Sequence, residues 1–422
     1  MILRVSDSME SDYTVGIDIG SHKIVVLIGE LLDNDKINIV GIGKAHSKGV
    51  DKGAVTDLDS VVIAIKQALK RAEDMADCQV SSVSLSISGS HIESLNESGT
   101  WAIDDHEVTA FDIESVLHNA RSIKLRDDQR LLHVIPQQYS IDNQSGINNP
   151  LGLSGIKLKA DVHLITCHND LVKNLEKAVE RCNLNVDQLT FSGVASSASI
   201  LSDDEKKLGV CMVDIGCGTM DISVYLDGSL RHSSVLGYAG NSVTNDIAIA
   251  FSAPPTSAEE VKIKYGSLSR ENINLDESIE LPSVGGRPSR SLERLTLVDV
   301  IEPRYTELLG LVKKELYKLG YAKDADGLKQ QLAAGIVLTG GGAQIRGLVE
   351  VAEQVFDNMQ VRIGLPQNVI GLADDIAFPA YSTAVGLLRY KNDEFSEGQE
   401  ESEENRFSLF LNKIKSWVKK EY

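Results

Sequence analysis

The sequence predicts an α/β fold with two similar lobes, and a repeated pattern of strands carries that prediction. YTVGIDIG, SHKIVVLIGELL, a DNDK turn and INIVGIG read as a strand ending in Asp-x-Gly, a second strand, a turn and a third strand. The same order returns as LGVCMVDIG, CGTMDISVYL, a DG turn and SLRHSSVLG. Asp-x-Gly alone occurs about twice by chance in a chain of this composition. The matched flanking strands therefore indicate a duplication.

Other elements follow this frame in order. DLDSVVIAIKQALKRAED and NDLVKNLEKAVERCNL keep helical spacing, whereas FSGVASSASIL and FPAYSTAVGLL are small-residue helices. Between the two copies, SVSLSISGSHIESLN, FDIESVLHNARSI, LLHVIPQQYSI and IKLKADVHLITC predict a small α+β unit inserted in the first half. Residues 242–318 are helix-rich, and IVLTGGGAQIRGL is a strand, three glycines and a helix. KNDEFSEGQEESEEN predicts a disordered acidic linker.

Composition excludes several functions. The 422 residues suffice for more than one domain, and 61 acidic against 42 basic residues give a formal net charge of -19. No nucleic acid partner is expected, because phosphate binding requires a dominant basic face. The beginning of the sequence resembles no signal peptide, and no stretch is apolar enough to span a membrane. The five cysteines form no CxxC pair and predict reduced thiols in the cytosol: Cys78, Cys167, Cys182, Cys211 and Cys217.

Three glycine-containing loops are candidate elements of a nucleotide site. Gly20 and the run Gly216–Thr219 each end a strand, where a sharp turn can present backbone N–H groups to phosphate. Asp18 and Asp214 would repel a phosphate unless a divalent cation, held through water, lies between them. The three glycines of TGGG suit close approach of a bulky planar group. Together the loops predict Mg-nucleotide held between two lobes.

Each of these motifs also has a simpler explanation. TGGG and either Asp-x-Gly can be ordinary tight turns. The occurrence of all three in order favours a nucleotide site. Neither GxxxxGK[ST] nor GxGxxG is present, which excludes the two commonest nucleotide-binding motifs.

The ordered set VGIDIGSHK, VDIGCGTMDISVY and IVLTGGGAQIRGL resembles the actin, Hsp70 and sugar-kinase ATPase superfamily, and more narrowly the bacterial cell-division FtsA family. HVIPQQYSID, NPLGLSGIKL, VHLITCHND, LPSVGGRP and IEPRYTELL extend the resemblance from Tyr13 to Tyr390. It implies an actin-like duplicated ATPase fold with two lobes, an inserted α+β subdomain 1C of SHS2 type and a C-terminal amphipathic helix. The implied subdomains are 1A at 1–82, 164–203 and 378–390, 1C at 83–163, 2A at 204–241 and 333–377, and 2B at 242–332. The linker takes 391–405 and the helix 406–422.

The resemblance also assigns roles to individual residues. It implies that Gly20, Ser21 and His22 form the first phosphate loop, that Gly216, Cys217, Gly218 and Thr219 form the second, and that Gly340, Gly341 and Gly342 form the adenosine loop. Glu259 and Lys262 match a helix that faces adenine and ribose, although a solvated salt bridge would explain the same i,i+3 pair. Ser192 stands where a related filament protein has Glu. Because a hydroxyl orients water poorly, we expect ATP binding with slow hydrolysis.

The sequence NRFSLFLNKIKSWVKKEY predicts an amphipathic helix at the end of an acidic chain. Its apolar stripe consists of Phe407, Phe410, Leu411, Ile414, Trp417 and Val418. Its basic residues include Lys413, Lys415, Lys419 and Lys420. An aromatic stripe beside a basic face suits an anionic lipid surface, whereas docking on its own domain is the alternative. One such helix binds reversibly, so filament formation would add avidity.

The implied function is that of an ATP-binding protein of the division septum, peripheral to the inner face of the cell inner membrane. By resemblance it would polymerise, tether filaments of the tubulin homologue FtsZ, and recruit later division proteins through 1C. The acidic FtsZ tail would contact 2B, with Arg287, Arg290, Arg294 and Arg304 as candidates. A pilus-assembly ATPase, a small-molecule kinase or a chaperone-type ATPase would share the phosphate loops, but none of them needs the lipid-binding tail.

Overall fold

The computed structural model describes residues 13–32, 36–271, 278–283, 288–319, 327 and 330–390. The strands are β1 Tyr13–Ile19, β2 Lys23–Leu32, β3 Lys36–His46, β4 Val50–Asp51, β5 Ala54–Val55, β6 Ser82–Ile87, β7 Glu93–Ala102, β8 Gln129–Ile141, β9 Gln144–Ile147, β10 Lys157–His168, β11 Asn185–Phe191, β12 Val210–Ile215, β13 Met220–Leu226, β14 Ser229–Leu236, β15 Ser278–Leu281, β16 Arg290–Glu293, β17 Ile336–Thr339, β18 Val361–Ile363 and β19 Val369–Gly371. The helices are α1 Leu58–Ala76, α2 Ala110–Arg121, α3 Asn169–Glu180, α4 Ser192–Ile200, α5 Asp203–Leu208, α6 Gly240–Phe251, α7 Pro255–Tyr265, α8 Arg294–Lys318, α9 Leu348–Val355, α10 Ala373–Ile376 and α11 Ser382–Arg389. Short 3-10 helices span Gly341–Gln344 and Pro379–Tyr381.

The first lobe is built on a six-stranded sheet with the order β11-β6-β1-β2-β3-β19. Its central strand β2 is buried on both faces, which explains its unbroken apolar sequence IVVLI. Ile24, Val26 and Ile28 pack on the side of α1 and α3. Val25 and Leu27 pack on the opposite side, against α11. The sheet is therefore covered by helices on both faces.

The second lobe repeats the arrangement around a five-stranded sheet with the order β14-β13-β12-β17-β18. Strands β12, β13 and β14 are consecutive and antiparallel, as are β1, β2 and β3. The helices α6, α8 and α9 pack on this sheet in one apolar core. The predicted duplication into two lobes is confirmed.

The inserted unit is a four-stranded sheet with the order β7-β10-β8-β9, on which α2 packs. Thr109 and Asp112 form a capping box at the start of α2, and Asp112 also accepts a hydrogen bond from Trp101 (3.0 Å). The insert begins later than residue 83, because β6 pairs in parallel with β1 and β11 of the first lobe. Val83, Leu85 and Ile87 are buried in the first core, so SVSLSI belongs to that lobe.

The insert also contacts β14, the edge strand of the second lobe, through side chains. Ser94 Oγ donates to the carbonyl of Ser233 (2.6 Å), Asn96 Nδ2 to that of Arg231 (3.0 Å), and Gln137 Nε2 to that of Leu230 (2.7 Å). The insert therefore belongs to the first lobe by chain connection and touches the second lobe by hydrogen bonds to its main chain.

The chain returns to the first lobe before residue 378. Strand β19 pairs in parallel with β3, and Ile376 of α10 is buried against the first lobe's outer face. Both elements are too short for hydrophobic periodicity to detect, since a period needs several repeats.

Two helices connect the lobes and cross in close contact. The chain leaves the first lobe through α4 and ends its return in α11. A Cβ atom on Gly386 of α11 would lie 1.8 Å from the carbonyl oxygen of Ala195 in α4. The small residues of FSGVASSASIL and FPAYSTAVGLL permit this approach.

Two predicted features lie outside the described residues: the acidic linker 391–405 and the amphipathic helix 406–422. Arg287 lies outside them as well. Within the described part of the chain, no helix combines the length and the apolarity that crossing a bilayer requires.

Candidate functional site

The two predicted phosphate loops are matching turns that face each other across the lobes. The N–H of Gly20 donates to the carbonyl of Lys23 (3.0 Å), and the N–H of Gly216 donates to that of Thr219 (2.9 Å). A Cβ atom on Gly218 would lie 2.7 Å from Ser21 Oγ and 3.0 Å from the backbone nitrogen of Lys52. The structure thus brings together the two sets of residues that the sequence placed in separate loops. Gly218 is required where the lobes touch.

His22 completes the first turn, and its ring meets His46 edge-on with centroids 5.3 Å apart. Its carbonyl accepts a hydrogen bond from the backbone of Ser47 (2.9 Å). Burial lowers the pKa of His22 below its ordinary value. His22 therefore serves the turn through its main chain and as a neutral ring.

Asp18 and Asp214 lie at the ends of corresponding strands, where Asp214 is buried and Asp18 is partly buried. Asp18 accepts a hydrogen bond from Ser86 (2.8 Å), and Asp214 accepts one from Ser196 (2.6 Å). Burial raises the pKa of both carboxyl groups, that of Asp214 to about 6. The charge of Asp18 raises the pKa of Asp214 further, whereas the charge of Lys23 lowers the pKa of both. A bound cation would stabilise the ionised form of these carboxyl groups, which burial disfavours.

Two further charged residues of the site were not predicted. Asp221, on β13, accepts a hydrogen bond from Ser88, and burial raises its pKa well above the ordinary value, with a contribution from Asp214. Lys23, on β2, donates to the carbonyl of Ala380 (2.5 Å) and lies over the Tyr381 ring (4.3 Å). Burial lowers the pKa of Lys23 to about 8, while Asp18 raises it. The site therefore holds two buried acids, Asp214 and Asp221, together with the partly buried Asp18 and Lys23.

Sequence signals for these residues existed. Asp221 alternates with apolar side chains in MDISVY. An acidic residue inside a buried strand is rare unless it is paired or functional, so its position indicates a site. Lys23 directly follows the first turn. The hydroxyls of Ser86, Ser88 and Thr383 carried no comparable signal, because serine and threonine are common in every element.

The third loop is bare main chain beside Asp214. Gly340 has φ +86°, and a Cβ atom there would lie 2.2 Å from Asp214 Oδ1. No heavy atom lies within 4 Å of the corresponding position on Gly341. The carbonyl of Gly342 accepts a hydrogen bond from the Tyr305 hydroxyl (2.9 Å). Gly341 therefore leaves room for a group to approach the backbone, whereas Gly340 and Gly342 permit close packing against Asp214 and Ile215.

Glu259 and Lys262 lie on one face of α7 and form an ion pair (2.6 Å). Lys262 Nζ also donates to the carbonyl of Gly240 (3.0 Å), whose N–H donates to the carbonyl of Gly216 (3.1 Å). The pair is half-buried and braces the second turn, so it differs from a solvated surface salt bridge.

Cys217 lies in the second turn, and Ser192 is the first residue of α4. Burial raises the pKa of the Cys217 thiol, and its carbonyl accepts the N–H of Asn241 (2.7 Å). Ser192 is buried, and its hydroxyl donates to the carbonyl of Ile87 (3.2 Å). Ile87 precedes Ser88, which contacts Thr219 and Asp221, so Ser192 lies one residue away from the site.

The predicted arginines have different surroundings. Arg304 forms ion pairs with Asp246 (2.5 Å) and Glu307 (2.6 Å), and those carboxylates raise its pKa. Arg294 donates to the carbonyl of Tyr265 (3.1 Å). Arg290 is exposed on β16. Arg304 is therefore engaged within the subdomain.

The residues present fit a nucleotide. The Cβ positions of Gly218 and Gly340 are occupied by neighbouring atoms, so only glycine permits this close packing beside Asp214, whereas Gly341 is exposed and has open space at its Cβ position. Among the described residues, no group of three or more His, Cys, Asp or Glu side chains is arranged to hold a metal ion.

The family model described as "Cell division protein FtsA" matches residues 211–386, and that described as "SHS2 domain inserted in FTSA" matches residues 89–166. A protein of Escherichia coli strain K12, "Cell division protein FtsA", is 54% identical over 97% of this chain and 98% of its own length. The chain belongs to the FtsA family of cell division proteins. Its relative in Pseudomonas aeruginosa is 44% identical over 96% of this chain and 97% of its own length.

Solved structures resemble the fold at low identity. The "PilM-PilN type IV pilus biogenesis complex" has a TM-score of 0.62 at 16% identity, covering 89% of this chain and 97% of that one. MreB 5 of Spiroplasma citri bound to AMPPNP has a TM-score of 0.54 at 14% identity, covering 98% and 100%. The actin-like fold predicted for this FtsA-family chain is confirmed, and so is the SHS2-type insert.

Proposed function

We propose that this member of the FtsA family binds ATP with Mg²⁺ in the cleft between its lobes. One observation carries the proposal: two matching turns and a glycine loop converge on the buried carboxylates of Asp214 and Asp221 and on the partly buried Asp18, where little bulk water is available to stabilise their charge. The AMPPNP bound to the MreB 5 relative of the fold supports the same ligand class.

Different residues of the chain would bind different parts of the nucleotide. The N–H groups of the two turns, around Ser21 and Cys217, would bind phosphate oxygens. The carboxylates of Asp18 and Asp214 would orient the hydration shell of Mg²⁺, and the cation would neutralise phosphate charge when bound. Lys23, with its pKa lowered to about 8, remains largely protonated at neutral pH and would balance the acids. The main chain of Gly340–Gly342 would lie against the adenosine.

A thiol footprint tests this site with an internal control. Cys217 lies in the second turn and Cys78 follows α1; both are half-exposed, whereas Cys167, Cys182 and Cys211 are buried. Burial raises the pKa of both half-exposed thiols, so labelling with iodoacetamide needs a pH near 8. Peptide mass spectrometry should show that Mg-ATP slows the labelling of Cys217 at least tenfold and leaves Cys78 unchanged, a ratio that a bound ligand at a hundred times its Kd easily reaches. Equal slowing of both thiols, or of neither, would refute the site.

Hydrolysis is proposed to be slow. A water-orienting residue must present an acceptor to the attacking water. Ser192 is a weak candidate because its hydroxyl is buried against the carbonyl of Ile87, and a hydroxyl is a much weaker acceptor than a carboxylate. Replacing Ser192 by Glu and measuring phosphate release over several hours tests this point: a wild-type rate comparable with that of a metabolic kinase would contradict it.

The proposed cellular role is assembly on the inner face of the cytoplasmic membrane at the division site. Its support is the sequence 406–422, with an apolar stripe and a basic face, together with membership of the FtsA family. The chain would polymerise there, because many weak anchors on one filament bind by avidity. Sedimentation with vesicles containing phosphatidylglycerol, with and without residues 406–422, tests the anchor. Equal sedimentation of both forms would overturn it.

We further propose that subdomain 2B binds the acidic tail of FtsZ, and that 1C contacts later division proteins. Arg304 is a poor contact, because Asp246 and Glu307 already bind its guanidinium. Arg290, exposed on β16, is the better candidate among the described arginines of the predicted set. Arg290→Glu should weaken binding of a fluorescent FtsZ-tail peptide more than Arg270→Glu, since Arg270 is paired with Asp299 and Glu302. Equal losses would contradict the assignment.

A further inference from the structure

The carboxylate of Asp214 is held by hydroxyl groups from both helices that connect the lobes. Ser196 of α4 donates to Asp214 Oδ2 (2.6 Å), and Thr383 of α11 donates to the same oxygen (3.1 Å). The two hydroxyl oxygens lie 2.9 Å apart. Ser196 is 0% exposed, Asp214 7% and Thr383 9%. One buried oxygen is therefore the meeting point of the two connecting helices.

These helices have little freedom to move separately. The predicted Cβ position on Gly386 falls 1.8 Å from the carbonyl oxygen of Ala195, so their main chains are in contact. Ser199 of α4 also joins them, since its hydroxyl donates to the carbonyl of Ser382 (2.7 Å) and to that of Ser196 (2.9 Å). A change in the angle between the lobes must therefore alter the geometry around Asp214.

The other carboxylate oxygen faces the nucleotide loops. Asp214 Oδ1 lies 2.2 Å from the position that a Cβ atom would take on Gly340. Asp214 thus has one oxygen toward the third loop and the other toward the connecting helices. A group bound near Oδ1 changes the charge distribution of the whole carboxylate. Hydrogen bonds to a charged acceptor are strong, so those that Ser196 and Thr383 donate to Oδ2 would respond to this change.

We propose that Ser196 and Thr383 are positioning residues that orient Asp214 for the cation-bound nucleotide and transmit its binding to the two connecting helices. The inference rests on the proposed ATP site. The ligand concerned is a nucleoside triphosphate with a divalent cation. It predicts that loss of either hydroxyl uncouples nucleotide binding from helix ordering, while the lobes still fold.

The chain offers matched variants. Ser196→Ala and Thr383→Val remove one donor each, and Thr383→Ser keeps the donor while removing only a methyl group. Ser199→Ala is the control, because Ser199 is 1% exposed, lies on the same helix and bonds across the same helix contact, but does not touch Asp214. All variants are made in the full chain, and thermal unfolding without nucleotide checks folding.

Two readouts separate positioning from packing. The first is the affinity for a fluorescent ATP analogue with Mg²⁺ divided by that with EDTA. Hydrogen bonds to charged groups are worth enough that Ser196→Ala and Thr383→Val should lower this ratio about tenfold. The second is the protection of the amides of α11 against hydrogen exchange on adding Mg-ATP, which the same two variants should lose. Thr383→Ser and Ser199→Ala should keep both effects.

The outcomes are distinguishable. If the wild-type chain does not bind the analogue, the proposed function fails and this inference fails with it. If the wild-type chain binds the analogue more tightly with Mg²⁺ than with EDTA, and Ser196→Ala shows the same ratio of affinities, only the positioning role is refuted. A loss in Ser199→Ala as large as that in Ser196→Ala would also refute it, because helix packing alone would then explain both.

Discussion

Replacement of Gly386 by alanine tests how tightly the two connecting helices cross. The added Cβ atom would lie 1.8 Å from the carbonyl oxygen of Ala195 and 2.3 Å from its carbonyl carbon. Both are main-chain atoms, so no side chain can rotate away. The helices must separate by more than an ångström, and the apolar contacts between α4 and α11 must stretch with them.

The magnitude follows from two opposed effects. Overpacking a tight contact costs about 1–3 kcal/mol. Alanine in place of glycine inside a helix returns about 0.5–1 kcal/mol. Because the clash involves backbone well inside contact distance, the cost lies at the upper end of its range, and we expect a net loss of roughly 2 kcal/mol.

Gly310 provides the control for this prediction. It lies inside α8, and no heavy atom is found within 4 Å of a Cβ atom built on it. Gly310→Ala should stabilise the protein by about 0.5–1 kcal/mol through helix propensity alone. Urea denaturation followed by circular dichroism compares the two variants through their midpoints. A Gly386→Ala variant as stable as Gly310→Ala would refute the close crossing.

Two further predictions concern the insert. His163 forms hydrogen bonds with Asn96 (2.7 Å) and Ser233 (3.1 Å), and burial, together with His232 and His133, lowers its pKa to about 3. As the pH drops from about 6.5 towards 3, the unfolded state binds a proton at this histidine before the folded state does, so the stability of the protein should fall. The urea midpoint of His163→Gln should fall less steeply over the same pH range. An unchanged slope in the variant would exclude this histidine as the cause. Asp112→Ala removes the acceptor of Thr109 and Trp101 and should cost about 1–3 kcal/mol, measured by Trp101 fluorescence during unfolding, whereas Glu114→Ala on the same helix should cost little.

Periodicity predicted the lobes well, because their strands are long and buried on both faces. β2 contains the apolar run IVVLI and β12 the apolar run VCMV, and such runs indicate buried strands before their pairing partners are known. The insert was harder to delimit, since β6 continues the alternation of β7 while pairing with β1. Only the pairing partner, which the sequence does not contain, assigns SVSLSI to the first lobe.

The site was predictable where backbone chemistry dictates residue type. Glycine at 218 and 340 is required by neighbours that a Cβ atom would strike, so glycine marks the loops in the sequence. The hydroxyl donors were not predictable in the same way. Ser196 and Thr383 reach Asp214 from helices far apart in the sequence, and each resembles any small residue of a tightly packed helix. Their importance arises from tertiary contact alone.

The two turns share a backbone hydrogen bond but differ in the charge of the side chain at one matching position. Gly20 and Gly216 make the same hydrogen bond three residues ahead, so Lys23 and Thr219 occupy matching positions. One lobe places an amine there, and the other places a hydroxyl beside the additional acid Asp221. Duplication thus gives the two turns the same backbone hydrogen bond, whereas the side chains at the matching positions differ in charge. Asp18 and Asp214 both raise the pKa of Lys23, so the Lys23 amine lies close enough to offset the charge of the two carboxylates that a bound cation would approach.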